Sequence, residues 1–246
     1  MKLGVSPHEV SGLTWDKVAE RLAAGASAIL PIGAGAKEHG WHMPMATDQV
    51  FAEYFARAVA DKIDALIWPT LTYGAYPAFT AYAGSASLSD QTFQAVVTEI
   101  ADALIGFGAR RVLILDTGLS TIAPVEAAIG ASSDPALIRH LRVFDGPRFH
   151  TTSCQIKEQA YGSHADELET SLMLAIAPEL VDMARAAPSP YREKAPSPGS
   201  LSPDDSFSPN YSPSGSFGDP TLASAAKGKR LLAAILDDLV EMAAQP

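Results

Sequence analysis

Cysteine is almost missing from this chain: Cys154 is the only one in 246 residues. An internal disulfide is excluded, and a reducing cytoplasm is the expected location. With no partner to assign to it, Cys154 reads as a small hydrophobe or idle thiol and not as a nucleophile. Long apolar runs are absent too; none approaches the ~18 residues of a membrane span. The first seven residues carry no apolar signal core, so secretion is not expected. Charge is scarce at 19% and lopsided, with a formal net charge of -10 and no cluster of lysine or arginine. That excludes nucleic acid and anionic membranes as expected partners and leaves a small molecule. Neither Gly-x-x-x-x-Gly-Lys nor Gly-x-Gly-x-x-Gly occurs, so Gly35 and Gly40 serve backbone turns here, not phosphate binding.

What is present is an alternation of strand-like and helix-like segments, with 47% hydrophobic residues, enough for one well-filled α/β domain. Strands are expected at 28–32, 65–69, 112–115 and 141–144. Helices are expected after Thr14, from Thr47 (Phe51, Phe55, Ala58 and Val59 at helical spacing), after Ser89, and at the C-terminus (Leu231, Leu232, Ile235, Leu239, Met242). Short β-branched and leucine runs between amphipathic helices predict a layered α/β/α fold with a mostly parallel central sheet. Residues 188–220 differ, being rich in Pro, Ser, Gly and Asp; Tyr191, Phe207, Tyr211 and Phe217 are candidate anchors for an ordered loop, a lid or an oligomer arm.

The stretch 38–48, Glu-His-Gly-Trp-His-Met-Pro-Met-Ala-Thr-Asp, leaves the first strand. His39, His42 and Asp48 place two imidazoles and a carboxylate within ten residues at a strand exit, where parallel sheets bind ligands. That donor chemistry suits zinc, manganese or iron better than calcium. The residue before it is Lys37, a cation in what reads as a cation site.

These residues resemble the creatininase (creatinine amidohydrolase) family over nearly the whole chain. The likeness runs through Leu-Pro-Ile-Gly at 30–33, His-Gly-Trp-His-Met-Pro-Met-Ala-Thr-Asp at 39–48, Tyr-Gly at 73–74 and Gly-Ser-Ala-Ser-Leu at 84–88. It continues through Gly-Ala-Arg-Arg-Val-Leu-Ile at 108–114, His-Ala-Asp-Glu-Leu-Glu-Thr-Ser at 164–171, and Gly-Asp-Pro-Thr-Leu-Ala at 218–223. The resemblance implies a single α/β domain over 1–246, commonly a hexamer, with two metals that share the aspartate matching Asp48. It further implies a metal-bound water that opens a small C–N compound. One metal would also use the glutamate position that is Lys37 here and the histidine position that is Gly118. The other would use His39 and a glutamate, which falls on Ser120 in one branch and on the segment containing Glu167 in others. The first metal's own ligands are therefore gone, while His39, Asp48 and Glu167 keep the second.

The expected function is a hydrolase of a small cyclic amide or related C–N bond. It would hold at most one zinc, manganese or iron on His39, Asp48 and Glu167, with Lys37 replacing the other metal by its ammonium charge. Glu38, adjoining Lys37 on an extended chain, is expected to point away. Lys37, His164 and Glu167 are the candidate catalytic groups, His164 passing a proton to the leaving nitrogen. Glu169 is read as a helix-dipole residue. Phe79, Tyr82, Asp116 and Ser120 are candidate substrate contacts; Ala78 and Phe79 stand where the family often has Glu-His, which implies a more aromatic pocket. Two alternatives remain open: a metal-free lyase, isomerase or C–C hydrolase in which a Lys37 of depressed pKa does the chemistry, and a non-catalytic family member.

Overall fold

The computed structural model describes residues 6–190 and 199–245. Four parallel strands form the sheet: β1 (Ser27–Ile32), β2 (Ala65–Ile67), β3 (Val112–Asp116) and β4 (Ile138–Arg142), in the order β2-β1-β3-β4. Around them lie α1 (Trp15–Ala23), α2 (Thr47–Ala60), α3 (Asp90–Gly106), α4 (Ile122–Ala131), α5 (Pro147–Ile156), α6 (Glu167–Ile176) and α7 (Ala225–Ala244). Alternation along the strands builds two cores. Ile29, Leu113, Leu115 and Leu141 pack with Phe51 and Phe55 of α2, and with α6 and α7. Ala28, Leu30, Ile32 and Ile114 face the other way, onto Phe93 and Val97 of α3 and Val125 of α4. Both sheet faces are therefore covered, which is why β1 and β3 read as continuous apolar runs.

The boundaries differ from expectation where polarity or proline intervenes. β2 stops at Ile67, ahead of Pro69, which has no N–H to donate to a ladder. β4 begins at Ile138 and not at Leu141, because Arg139, His140 and Arg142 interrupt its apolar residues on this edge strand. Ser89 caps α3 by accepting from the Thr92 N–H at 3.2 Å, whereas Thr14 makes no such bond to α1. In the Pro/Ser-rich segment Phe217 is buried and Tyr211 half-buried, but Phe207 is 97% exposed and anchors nothing; Tyr191 lies outside the described residues.

The chain goes from β1 to β2 on one side, then to β3 on the other side of β1. The carboxyl ends of β1 and β3 thus flank the point where the connection reverses, and the loops 33–46 and 117–121 meet over that crevice.

Candidate active site

Close packing after β1 sets the floor of the site. A Cβ on Gly33 would lie 2.3 Å from the carbonyl oxygen of Asp48, so only glycine lets the first turn of α2 approach the end of β1. Asp48 stands in that turn, fully buried, where the helix N-terminus favours a carboxylate. The 34–46 loop returns on itself, with the Lys37 N–H donating to Met45 O at 3.2 Å and Gly40 turning at φ 73°. This places two cationic or basic groups on the two oxygens of Asp48. Lys37 Nζ is 2.7 Å from Oδ2, and His39 Nε2 is 3.0 Å from Oδ1. Burial by itself would raise the Asp48 pKa, but Lys37 and His39 hold it well below the carboxylate range. Burial likewise pulls Lys37 down, and the carboxylates of Asp48 and Glu169 more than offset it, so the ammonium is held charged. The ring of Phe79 lies under it, 4.8 Å from Nζ to centroid.

A second string of charges runs beside the first. His164 Nε2 lies 2.9 Å from Glu38 O and 3.1 Å from Glu38 Oε2, and its Nδ1 lies 3.7 Å from Glu169 Oε2. Its ring stands 4.7 Å from that of His39 and 4.5 Å from that of Phe79. Glu38 does point away from Asp48, and its target is His164. Burial would raise its pKa, and His164 brings it down instead. Ala165 adopts φ 45°, a left-handed conformation that a non-glycine residue keeps only when its surroundings enforce it. Here its N–H donates to Glu169 Oε2 at 2.6 Å. Burial pushes Glu169 up to about 7 against the opposing pull of His164.

Several sequence expectations move. Glu167 is fully buried but faces elsewhere: it accepts from the N–H groups of Glu158 and Gln159 and pairs with Lys227 of α7. Two helical residues are separated by about 200° of rotation, so Glu169, and not Glu167, reaches the site. Tyr82 lies outside the cavity; its hydroxyl donates to Ser212 O at 2.7 Å and its ring packs with Leu201 and Phe217. Asp116 is occupied by the loop it holds, accepting from the Gly118 N–H, the Thr121 hydroxyl and His140 Nε2. Phe79 and Ser120 do line the cavity. His42 is a strut to α6, its Nε2 2.8 Å from Thr170 Oγ1, and burial drops its pKa to about 4.

The cavity above this floor has a volume of about 520 Å³. Lys37, His164 and Glu169 form its base, Phe79 and Leu119 flank it, and α5 supplies a wall that the sequence reading lacked altogether. The only signal for that wall was Pro147 as a helix start followed by Phe149, Ser153 and Lys157 at four-residue steps.

Among the described residues, His39, His164 and Glu169 bring one donor atom each within 4.8 Å of one another. Two imidazoles and a carboxylate, with an open side toward a cavity, fit one zinc-like cation once His39 Nε2 exchanges Asp48 Oδ1 for it. The outer contacts fit as well: Lys37 O takes His39 Nδ1 at 3.1 Å, and Glu38 takes His164 Nε2. Asp48 is not in the triad, because the Lys37 ammonium already occupies it. A second cation beside Asp48 does not fit for the same reason.

A family model described as creatininase (creatinine amidohydrolase) matches residues 11–243. A mycofactocin precursor peptide peptidase of Mycobacterium ulcerans is 29% identical, over 99% of this chain and 91% of its own length. A creatinine amidohydrolase of Pseudomonas putida is 28% identical, over 91% of each chain. A solved structure described as "Creatininase Mn" superposes with a TM-score of 0.84 at 25% identity, covering 96% of this chain and 97% of that one.

Proposed function

The chain belongs to the creatininase family, and from that premise we propose that it is a hydrolase of an amide-type C–N bond whose site holds one divalent cation and a fixed ammonium. His39, His164 and Glu169 hold the cation; Lys37 stands where a second would neutralise Asp48. The observation that carries this reading is the convergence of His39, His164 and Glu169, one donor atom each within 4.8 Å, beside an Asp48 whose Oδ2 is already held by Lys37 Nζ at 2.7 Å. Bound, the cation would polarise a carbonyl and lower the pKa of a water at neutral pH.

The protein's own groups do the rest. Lys37 reaches the cavity with its charge fixed and offsets negative charge that grows on the carbonyl oxygen of the substrate. Phe79 closes one side of Lys37 and of His164, which limits water there. Glu38 engages Nε2 of His164, so only Nδ1 faces the base of the cavity, and that single lone pair either ligates or carries a proton. We assign it to the cation, which moves His164 from the proton-carrying role that the sequence suggested. The alternative in which a neutral Lys37 amine attacks a carbonyl needs a depressed pKa, and the carboxylates around Lys37 push the other way.

Elemental analysis tests the arrangement without a substrate. Protein refolded or purified free of tag histidines and offered zinc, manganese and iron should retain about one equivalent, as three protein ligands at one site require. Glu169→Ala should lose it, and Lys37→Met should keep it. Two equivalents, or one that survives Glu169→Ala, would overturn the ligand assignment.

A further inference from the structure

The α5 wall carries groups that the fold itself leaves unused. Ser153 is 7% exposed, lines the cavity, and its Oγ is a buried hydroxyl with no hydrogen-bond partner. A serine within a helix commonly returns its hydroxyl to the carbonyl four residues back; this one does not. A buried polar group without a partner carries a desolvation penalty, and the residue that carries it lines the cavity. One turn before it stands Phe149, buried, with the Phe144 ring at 5.6 Å. One turn after it stands Lys157, the C-terminal cap of α5, whose N–H still bonds Ser153 O at 3.0 Å. Lys157 is exposed at the cavity edge, and its ammonium makes no ion pair among the described residues. Phe149, Ser153 and Lys157 thus follow one another at about 6 Å steps along one wall, in the order apolar, hydroxyl, cation.

We propose that this wall reads the substrate: an open-chain amide with an aromatic or branched apolar group, a neighbouring carbonyl that accepts from Ser153 Oγ, and a terminal carboxylate that meets Lys157. This deepens the hydrolase reading above and rests on it. Size argues the same way, since cavities of roughly 300–1,000 Å³ enclose drug-sized ligands, and a single small ring would leave most of 520 Å³ to water. The end of the wall favours a carboxylate over a phosphate. It is the C-terminus of α5, where the helix dipole is negative, and one ammonium there balances one charge better than two.

The probes are N-benzoylglycine, its uncharged counterpart N-benzoylglycinamide, and creatinine as a compact ring. Binding is measured by calorimetry and hydrolysis by chromatography of the products, benzoate from the two benzoyl probes and creatine from creatinine. N-benzoylglycine should bind about fivefold to tenfold tighter than the glycinamide, the range of one charge-assisted contact at a cavity edge. Lys157→Met should erase that difference and leave the glycinamide unchanged. Ser153→Ala should weaken both by about threefold to tenfold without changing creatinine. Tighter binding of creatinine than of N-benzoylglycine, or binding of N-benzoylglycine indifferent to both substitutions, overturns the proposal. If the predicted binding pattern holds but no probe is hydrolysed with metal supplied, the wall stands and the hydrolase reading fails. Hydrolysis of creatinine alone sinks the wall and leaves that reading intact.

Discussion

The floor of the cavity and its α5 wall are built on opposite terms. On the floor, Glu169 apart, the buried charges are answered from within the chain: Lys37 by Asp48, Glu38 by His164, and the second oxygen of Asp48 by His39. On the wall, Ser153 Oγ is buried with no partner and Lys157 has no counter-ion among the described residues. Groups that satisfy one another are fixed before any ligand arrives, which is what preorganised electrostatics requires. Groups left unsatisfied gain only when something enters. On the proposed reading, the floor belongs to the reaction and the wall to selection of what reacts.

The sharpest way to break this contrast is to remove one charge from the floor. Lys37→Met keeps much of the side-chain volume but leaves Asp48 buried with His39 alone. Breaking a buried pair in this way costs about 3–5 kcal/mol, or about 10 °C in melting temperature for a chain of this length. Zinc or manganese should restore part of the loss, because a divalent cation supplies positive charge to the same corner. A variant that melts with the wild type would mean that the floor is not held by its ion pairs, and the contrast with the wall would collapse.

Glu169 offers a gentler probe, since it is the floor carboxylate least well answered. In metal-free protein, burial moves its pKa from the ordinary 4.5 up to about 7. An acid with a raised folded pKa binds more protons folded than unfolded, so its contribution to stability is present below about pH 4.5 and is lost as pH rises to about 7. Glu169→Gln keeps an acceptor for the Ala165 N–H and removes the titration. Relative to wild type it should gain stability on going from pH 4 to pH 8, by about 2–3 kcal/mol. Asp48, whose pKa is depressed, has the opposite sign: its contribution is present above about pH 4 and is lost only in stronger acid. Urea midpoints at pH 5 and pH 8 separate the two. A difference between variant and wild type that does not change with pH would show that Glu169 is solvated like a surface acid.

Most of the floor was legible from residue order alone, because it rests on short-range facts. Two histidines and an aspartate leave one strand, a lysine precedes them, and a glutamate next to that lysine must face elsewhere. Choosing between Glu167 and Glu169 needed the phase of α6, which begins at Glu167 itself and leaves no earlier turn from which to count. Tyr82 and Asp116 misled for a related reason. Each is a polar residue near the crevice, but Ser212 and His140, distant in sequence, and Thr121 of the adjoining loop claim their polar atoms. The wall was invisible because α5 has only a few strongly apolar residues, and because an unpartnered hydroxyl has no sequence signature.

The smallest expected effect tests the wall, and its sign matters more than its size. At a floor position, deleting a polar group orphans its partner and destabilises the fold. Ser153→Ala orphans nothing, since Oγ has no partner to lose. Replacing a buried, unsatisfied hydroxyl with hydrogen removes a desolvation penalty and gives helix α5 a better helix former. Stability should therefore stay level or rise, by up to about 1 kcal/mol, while ligand binding weakens. Such an opposition between folding and binding is the signature of a group kept for a ligand. If Ser153→Ala instead destabilises the protein as a floor variant does, the hydroxyl has a structural partner after all, and the wall is ordinary packing.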